Sequence, residues 1–102
     1  MTNTFQDIIN SEKPVLVDFY ESVKTSDQNL VSVIKSVKKA MGSRIITLKI
    51  DIDKNKILAD AYQISKTPTI VLFQKGKQLW RESGVLSKVE ILCLILEKSY
   101  TI

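Results

Sequence analysis

Two ionisable side chains three residues apart, Lys24 and Asp27, stand among the hydroxyls of Ser22, Thr25 and Ser26 just after a strongly apolar stretch. An amine, a carboxylate and hydroxyls at that spacing are ingredients of nucleophilic chemistry. The chain holds no histidine to act as general base, however, and an exposed, protonated Lys24 is a poor substitute. The residues fit better as a solvated ion pair at a helix start, with Asp27 favoured by the helix N-terminus at under about 1 kcal/mol, or as polar contacts for a bound protein. The other candidate is Cys93. As the single cysteine it has no intrachain disulfide partner and belongs to no Cys-x-x-Cys pair. With histidine absent too, the common zinc ligand sets are missing, and no metal or other cofactor is expected.

These polar residues occupy the turn between a strand and a helix. Val15, Leu16, Val17, Phe19 and Tyr20 run almost without a polar break, the pattern of a strand buried on both faces, and Pro14 is tolerated as its first residue. Asp18 interrupts it. A carboxylate in such a strand costs several kcal/mol, very roughly, unless it is protonated, wetted or paired. Beyond the turn, Leu30, Val33, Ile34, Val37 and Met41 recur at the spacing of one apolar helix face, and Gly42 is the end signal. In open α/β sheets ligands meet the carboxyl ends of strands, which directs attention to this turn.

Other elements follow from the same rules. Asn3 or Thr4 can cap a short helix carrying Phe5, Ile8 and Ile9. Residues 44–51 read as a strand with Lys49 inside it. Asp53 is the expected cap of a helix whose inward face is Ile57, Leu58, Ala61 and Tyr62. Pro68 precedes an apolar run that turns at Lys75-Gly76-Lys77 into a second, edge strand carrying Trp80. Ser87-Lys88-Val89-Glu90 has the form of a capping box opening the last helix. The pattern predicts an α/β sandwich with helices on both faces of the sheet.

The 102 residues suit one domain, 1–102, with a single core. The net charge of +4 raises the question of nucleic acid, but the lysines are scattered apart from Lys35, Lys38 and Lys39, and none is interleaved with aromatics; a solvated helix face is the expectation. No apolar run approaches membrane-spanning length, and no basic region followed by an apolar one opens the chain, so a cytoplasmic protein without membrane contact is expected.

Taken together, these stretches resemble the thioredoxin family from about Thr4 to Tyr100. Residues 14–20 are similar to its second strand, with Asp18 at the buried aspartate. Residues 48–53 are similar to its third strand, with Lys49 at the lysine beside that aspartate. Thr67-Pro68-Thr69 resembles the segment of the family's cis-proline, and Gly84 with residues 86–88 the glycine and helix start that follow. The resemblance implies a mixed sheet of four strands, with at most a residue or two of a fifth. It also implies a buried Asp18 whose pKa is raised by desolvation and partly restored by Lys49. The departure lies at the centre: Val23-Lys24-Thr25-Ser26-Asp27 stands where the family carries Trp-Cys-Gly-Pro-Cys, so Lys24 and Asp27 replace both cysteines. Neither can attack a disulfide or resolve a mixed one. Ser32 likewise replaces the family's helix-kinking proline, which implies a straighter helix.

The expected function is therefore that of a redox-inactive, thioredoxin-like binding module. It would take a protein or extended peptide along the backbone of Thr67, beside residues 23–27, Pro68 and Gly84. The rival is a thiol-disulfide oxidoreductase-class function through Cys93 alone. On the last helix Ile91, Leu94 and Ile95 form one stripe, and Val89, Leu92, Cys93 and Leu96 another almost opposite, which suggests a homodimer through that second stripe.

Overall fold

The computed structural model describes residues 4–99, and their side chains apart from those of residues 25–28. Along the chain come α1 (Phe5–Ile9), β1 (Val15–Tyr20), α2 (Thr25–Met41), a 3-10 turn (Gly42–Arg44), β2 (Ile46–Asp51), α3 (Lys56–Ala61), β3 (Thr69–Gln74), β4 (Lys77–Ser83) and α4 (Lys88–Lys98). The sheet order is β2-β1-β3-β4. Strand β1 runs parallel to β2 and antiparallel to β3, and β4 closes one edge as the antiparallel partner of β3.

The unbroken apolar run of β1 is explained by its central place. Leu16 enters a cluster with Leu30, Ile34 and Val37 of α2 and Ile91 and Ile95 of α4. Val15, Val17 and Phe19 point the other way, into a cluster closed by Ile9, Ala59, Ile64 and Phe73. Helices hold these faces through local caps. Thr4 and Asp7 form a reciprocal capping box on α1, as Ser87 and Glu90 do on α4. At the end of α2, Gly42 takes φ 61°, and the Lys38 ammonium donates to the carbonyls of Gly42 (2.8 Å) and Ile45 (2.7 Å).

Helix α3 departs from the sequence expectation. Its N-cap is Asn55, not Asp53, because the Asp51 carboxylate accepts the Asp53 N–H at 2.9 Å and the Asn55 amide donates to the Asp51 carbonyl at 2.9 Å. These bonds close a turn that delays the helix and rotates its face. Ile57 is consequently 89% exposed and Ala61 is exposed, while Ala59 is buried and Leu58 and Tyr62 are half-buried. Arg81 of β4 pins the segment after α3, donating to the carbonyls of Tyr62 (2.8 Å) and Gln63 (3.1 Å).

The β3–β4 hairpin turns on Lys75 (φ 54°) and Gly76 (φ 80°), the positive pair that a tight hairpin needs. Gly76 N–H bonds the Ile9 carbonyl at 2.9 Å, and a Cβ on Gly76 would collide with Asn10 Oδ1. Gly76→Ala is expected to lower stability by about 1–2 kcal/mol, from the left-handed backbone alone, read as an earlier midpoint in urea unfolding. An unchanged midpoint would mean that the turn relaxes freely.

Helix α4 also differs in part from its expected two stripes. Ile91 and Ile95 are fully buried, and Val89 (68%) and Leu96 (64%) are exposed with Cys93. Leu92, however, is half-buried against this chain's own α2–α4 cluster. Leu92 and Leu96 border Ala40, Met41 and Arg44 at the end of α2, so part of the second stripe faces this chain rather than solvent.

Candidate functional site

The site is built at the carboxyl end of β1. Strand alternation places Asp18 on the α2 side of the sheet, wholly buried and in register with Lys49 of β2. Lys49 is exposed, and its ammonium stands over the Tyr20 ring, 4.9 Å from the centroid, a cation–π contact. Removing a buried carboxylate's charge relieves desolvation. Asp18→Asn is thus expected to raise stability at neutral pH by about 1–3 kcal/mol, measured by chemical unfolding; a loss would show that the carboxylate's own contacts outweigh its desolvation.

After Tyr20 the chain turns through a Lys24 N–H to Glu21 carbonyl bond of 3.1 Å, and α2 begins at Thr25 with Lys24 as N-cap. Lys24 makes no side-chain cap bond; its ammonium lies 3.7 Å from Glu21 Oε1. The same Glu21 oxygen accepts the Thr67 hydroxyl at 3.1 Å. Glu21 is thus the residue that sequence reasoning passed over: its spacing of three from Lys24 was visible, but its bond to Thr67, 46 positions away, was not. The expected Lys24–Asp27 pair falls outside the described side chains, as do the hydroxyls of Thr25 and Ser26. Val23 beside them is 83% exposed.

On the facing side the Thr67–Pro68 peptide bond is cis, and Pro68 is buried. Its carbonyl accepts the Gly84 N–H at 2.8 Å, with Gly84 at φ 100°. The Thr69 hydroxyl donates to the Lys66 carbonyl at 2.6 Å and lies 3.0 Å from Ser83 Oγ. The outcome is a continuous chain of contacts, Lys24 to Glu21 to Thr67, then Pro68 to Gly84. Among the described residues nothing bonds the N–H or C=O of Thr67. Such a backbone can pair with an extended peptide. Val89, Leu92, Cys93 and Leu96 lie elsewhere, on α4.

A mixed four-stranded sheet with helices on both faces, and a strand-to-helix turn facing a proline loop at its carboxyl end, defines a thioredoxin-type domain. The comparisons agree. The thioredoxin family profile matches residues 1–97. Thioredoxin Y, chloroplastic, of Oryza sativa is 35% identical over 91 residues, covering 88% of this chain and 54% of that protein. A thioredoxin-like protein of Synechocystis, slr0233, is 35% identical over 85 residues, covering 83% and 81%. The solved structure of a mutant thioredoxin from Halobacterium salinarum superposes with a TM-score of 0.83 at 30% identity, covering 100% of this chain and 89% of that one. The chain belongs to the thioredoxin family. It spans about half the length of the chloroplastic relatives it matches.

Proposed function

We propose that this thioredoxin-family chain is a binding module without dithiol-disulfide activity, and that it takes an extended segment of a protein partner in the groove between residues 21–24 and Thr67. The observation that carries the reading is the backbone of Thr67, whose N–H and C=O no described residue bonds, held in place by the Glu21 carboxylate on its hydroxyl. Lys24 and Asp27 stand at the positions where dithiol exchange would need sulfur. An exposed Val23 offers apolar contact beside them.

The rival reading uses the exposed Cys93 thiol in mixed disulfides. An insulin-reduction assay with dithiothreitol separates the two: the binding module leaves the rate at that of dithiothreitol alone, and turnover by the chain overturns it. Binding itself is tested by capture of partners on the immobilised chain. Partners retained by the wild type, lost with Lys24→Ala/Asp27→Ala and protecting the Thr67 amide from hydrogen exchange support the groove. Equal retention by both chains defeats it.

A homodimer through α4 is a second contact mode, favoured by the exposure of Val89 and Leu96. Its probe is sedimentation of Val89→Lys/Leu96→Lys, since Leu92 packs in the chain's own core.

A further inference from the structure

Among the described residues the sheet order leaves β2 as an edge strand, on the side opposite β4. Ile46 and Ile52 turn their N–H groups inward to β1, at 3.0 Å from the carbonyls of Pro14 and Tyr20. Because successive residues of a strand direct their backbone groups to opposite sides, the N–H and C=O of Thr47 and Lys49 point outward. No described residue bonds them. Alongside this edge, between α2 and β2, lies a groove of about 430 Å³. Val31 and Ile34 of α2 give it an apolar wall, Thr47 and Leu48 lie along its β2 side, and Lys35, Lys38 and Lys49 rim it; no described lining residue is acidic. On the same face of the sheet Asp18 lies in register beside Lys49 but is wholly buried, and Asp51 of β2 accepts the Asp53 N–H.

We infer that the β2 edge accepts an added strand from a partner, an extended segment that alternates carboxylate with aliphatic side chains. The alternation follows from the two faces such a strand would meet. Side chains over the α2 face stand among Lys35, Lys38 and Lys49, where carboxylates complement three cations. Those on the other face continue the half-buried Ile46, Leu48 and Ile50. The outward backbone groups supply the ladder, and apolar and charged neighbours set the register. A second copy of this chain is a poor occupant, since edge-to-edge pairing brings two sets of three lysines to one seam. The surface shares no residue with the Thr67 groove and stands whether or not that groove binds.

The test uses a seven-residue peptide alternating glutamate with valine, its lysine-for-glutamate counterpart, and the glutamate peptide N-methylated at alternate amides. Binding is followed by fluorescence anisotropy and by amide hydrogen exchange. The glutamate peptide is expected to protect the Thr47 and Lys49 amides and leave Thr67 unchanged, while the lysine and N-methylated peptides fail to bind. The exposed double variant Lys35→Glu/Lys49→Glu should weaken the glutamate peptide about tenfold, two surface pairs having become repulsions. Four results overturn the inference: no binding at millimolar peptide, affinity indifferent to the charge reversal, protection at Thr67 in place of Thr47 and Lys49, or Thr47 and Lys49 already protected in the free chain. If that last protection rises with protein concentration, the edge pairs with a second copy; if it does not, the chain covers its own edge.

Discussion

The double variant Lys24→Cys/Asp27→Cys should catalyse insulin reduction by dithiothreitol at least about tenfold faster than the wild type. The backbone sets the two positions about one helical turn apart at the start of α2. Lys24 is the N-cap of α2 and Asp27 its third helical residue, and side chains three apart on a helix are neighbours, about 5–6 Å between Cβ atoms. That separation allows a disulfide after modest adjustment. The introduced thiol at position 24 would sit at a helix N-terminus, where a pKa lowered from about 8.5 to about 7 raises the thiolate fraction at neutral pH roughly fifteenfold. That thiolate attacks the substrate disulfide and releases one substrate thiol. The thiol at position 27 then displaces the second, leaving a disulfide for dithiothreitol to reduce. The single variant Lys24→Cys should trap mixed disulfides without turnover. A double variant that stays silent would mean that more than two side chains separates this chain from dithiol chemistry, and the absence of a kinking proline at Ser32 would be the next place to look.

Truncation of Phe73 is expected to give the largest loss of stability, about 3–5 kcal/mol for Phe73→Ala. A domain of this size has only about 5–15 kcal/mol in total, so the variant should be partly unfolded near physiological temperature. Phe73 is 1% exposed. Its ring meets Phe5 edge-on at 5.7 Å and Tyr62 at 5.4 Å, and Phe5 in turn meets Tyr62 at 5.5 Å and Phe19 at 6.4 Å. These contacts join α1, the end of α3 and the sheet, and edge-to-face pairs contribute about 0.5–1.5 kcal/mol beyond the buried area. Two elements of five and six residues have little helical stability of their own. Losing the ring that both rest on should release them together, visible as faster amide exchange in α1 and α3 as well as in β3. Phe73→Leu keeps most of the volume and should cost under about 2 kcal/mol. A loss below 1 kcal/mol for Phe73→Ala would show that this face of the sheet is loosely packed.

The sequence by itself determined whatever depends on near neighbours. The cap of α1, the capping box of α4, the hairpin at Lys75 and Gly76 and the doubly buried strand with Asp18 inside it are local demands of backbone bonding and side-chain period, met within a few residues. It also settled that no cysteine occupies positions 24 and 27. Only the tertiary structure decided what reaches across the chain: Glu21 on Thr67, the Lys49 ammonium on the Tyr20 ring, Arg81 on the segment after α3, and Leu92 turned into its own core. The phase of α3 belongs with these, because a six-residue helix takes its orientation from the Asp51 turn before it and the sheet beneath it. Spacing along a chain specifies which groups can cap, alternate or turn. Which distant group meets which is set by the packing of the sheet's two faces, and that packing put Thr67 opposite Glu21 and left β2 at the edge.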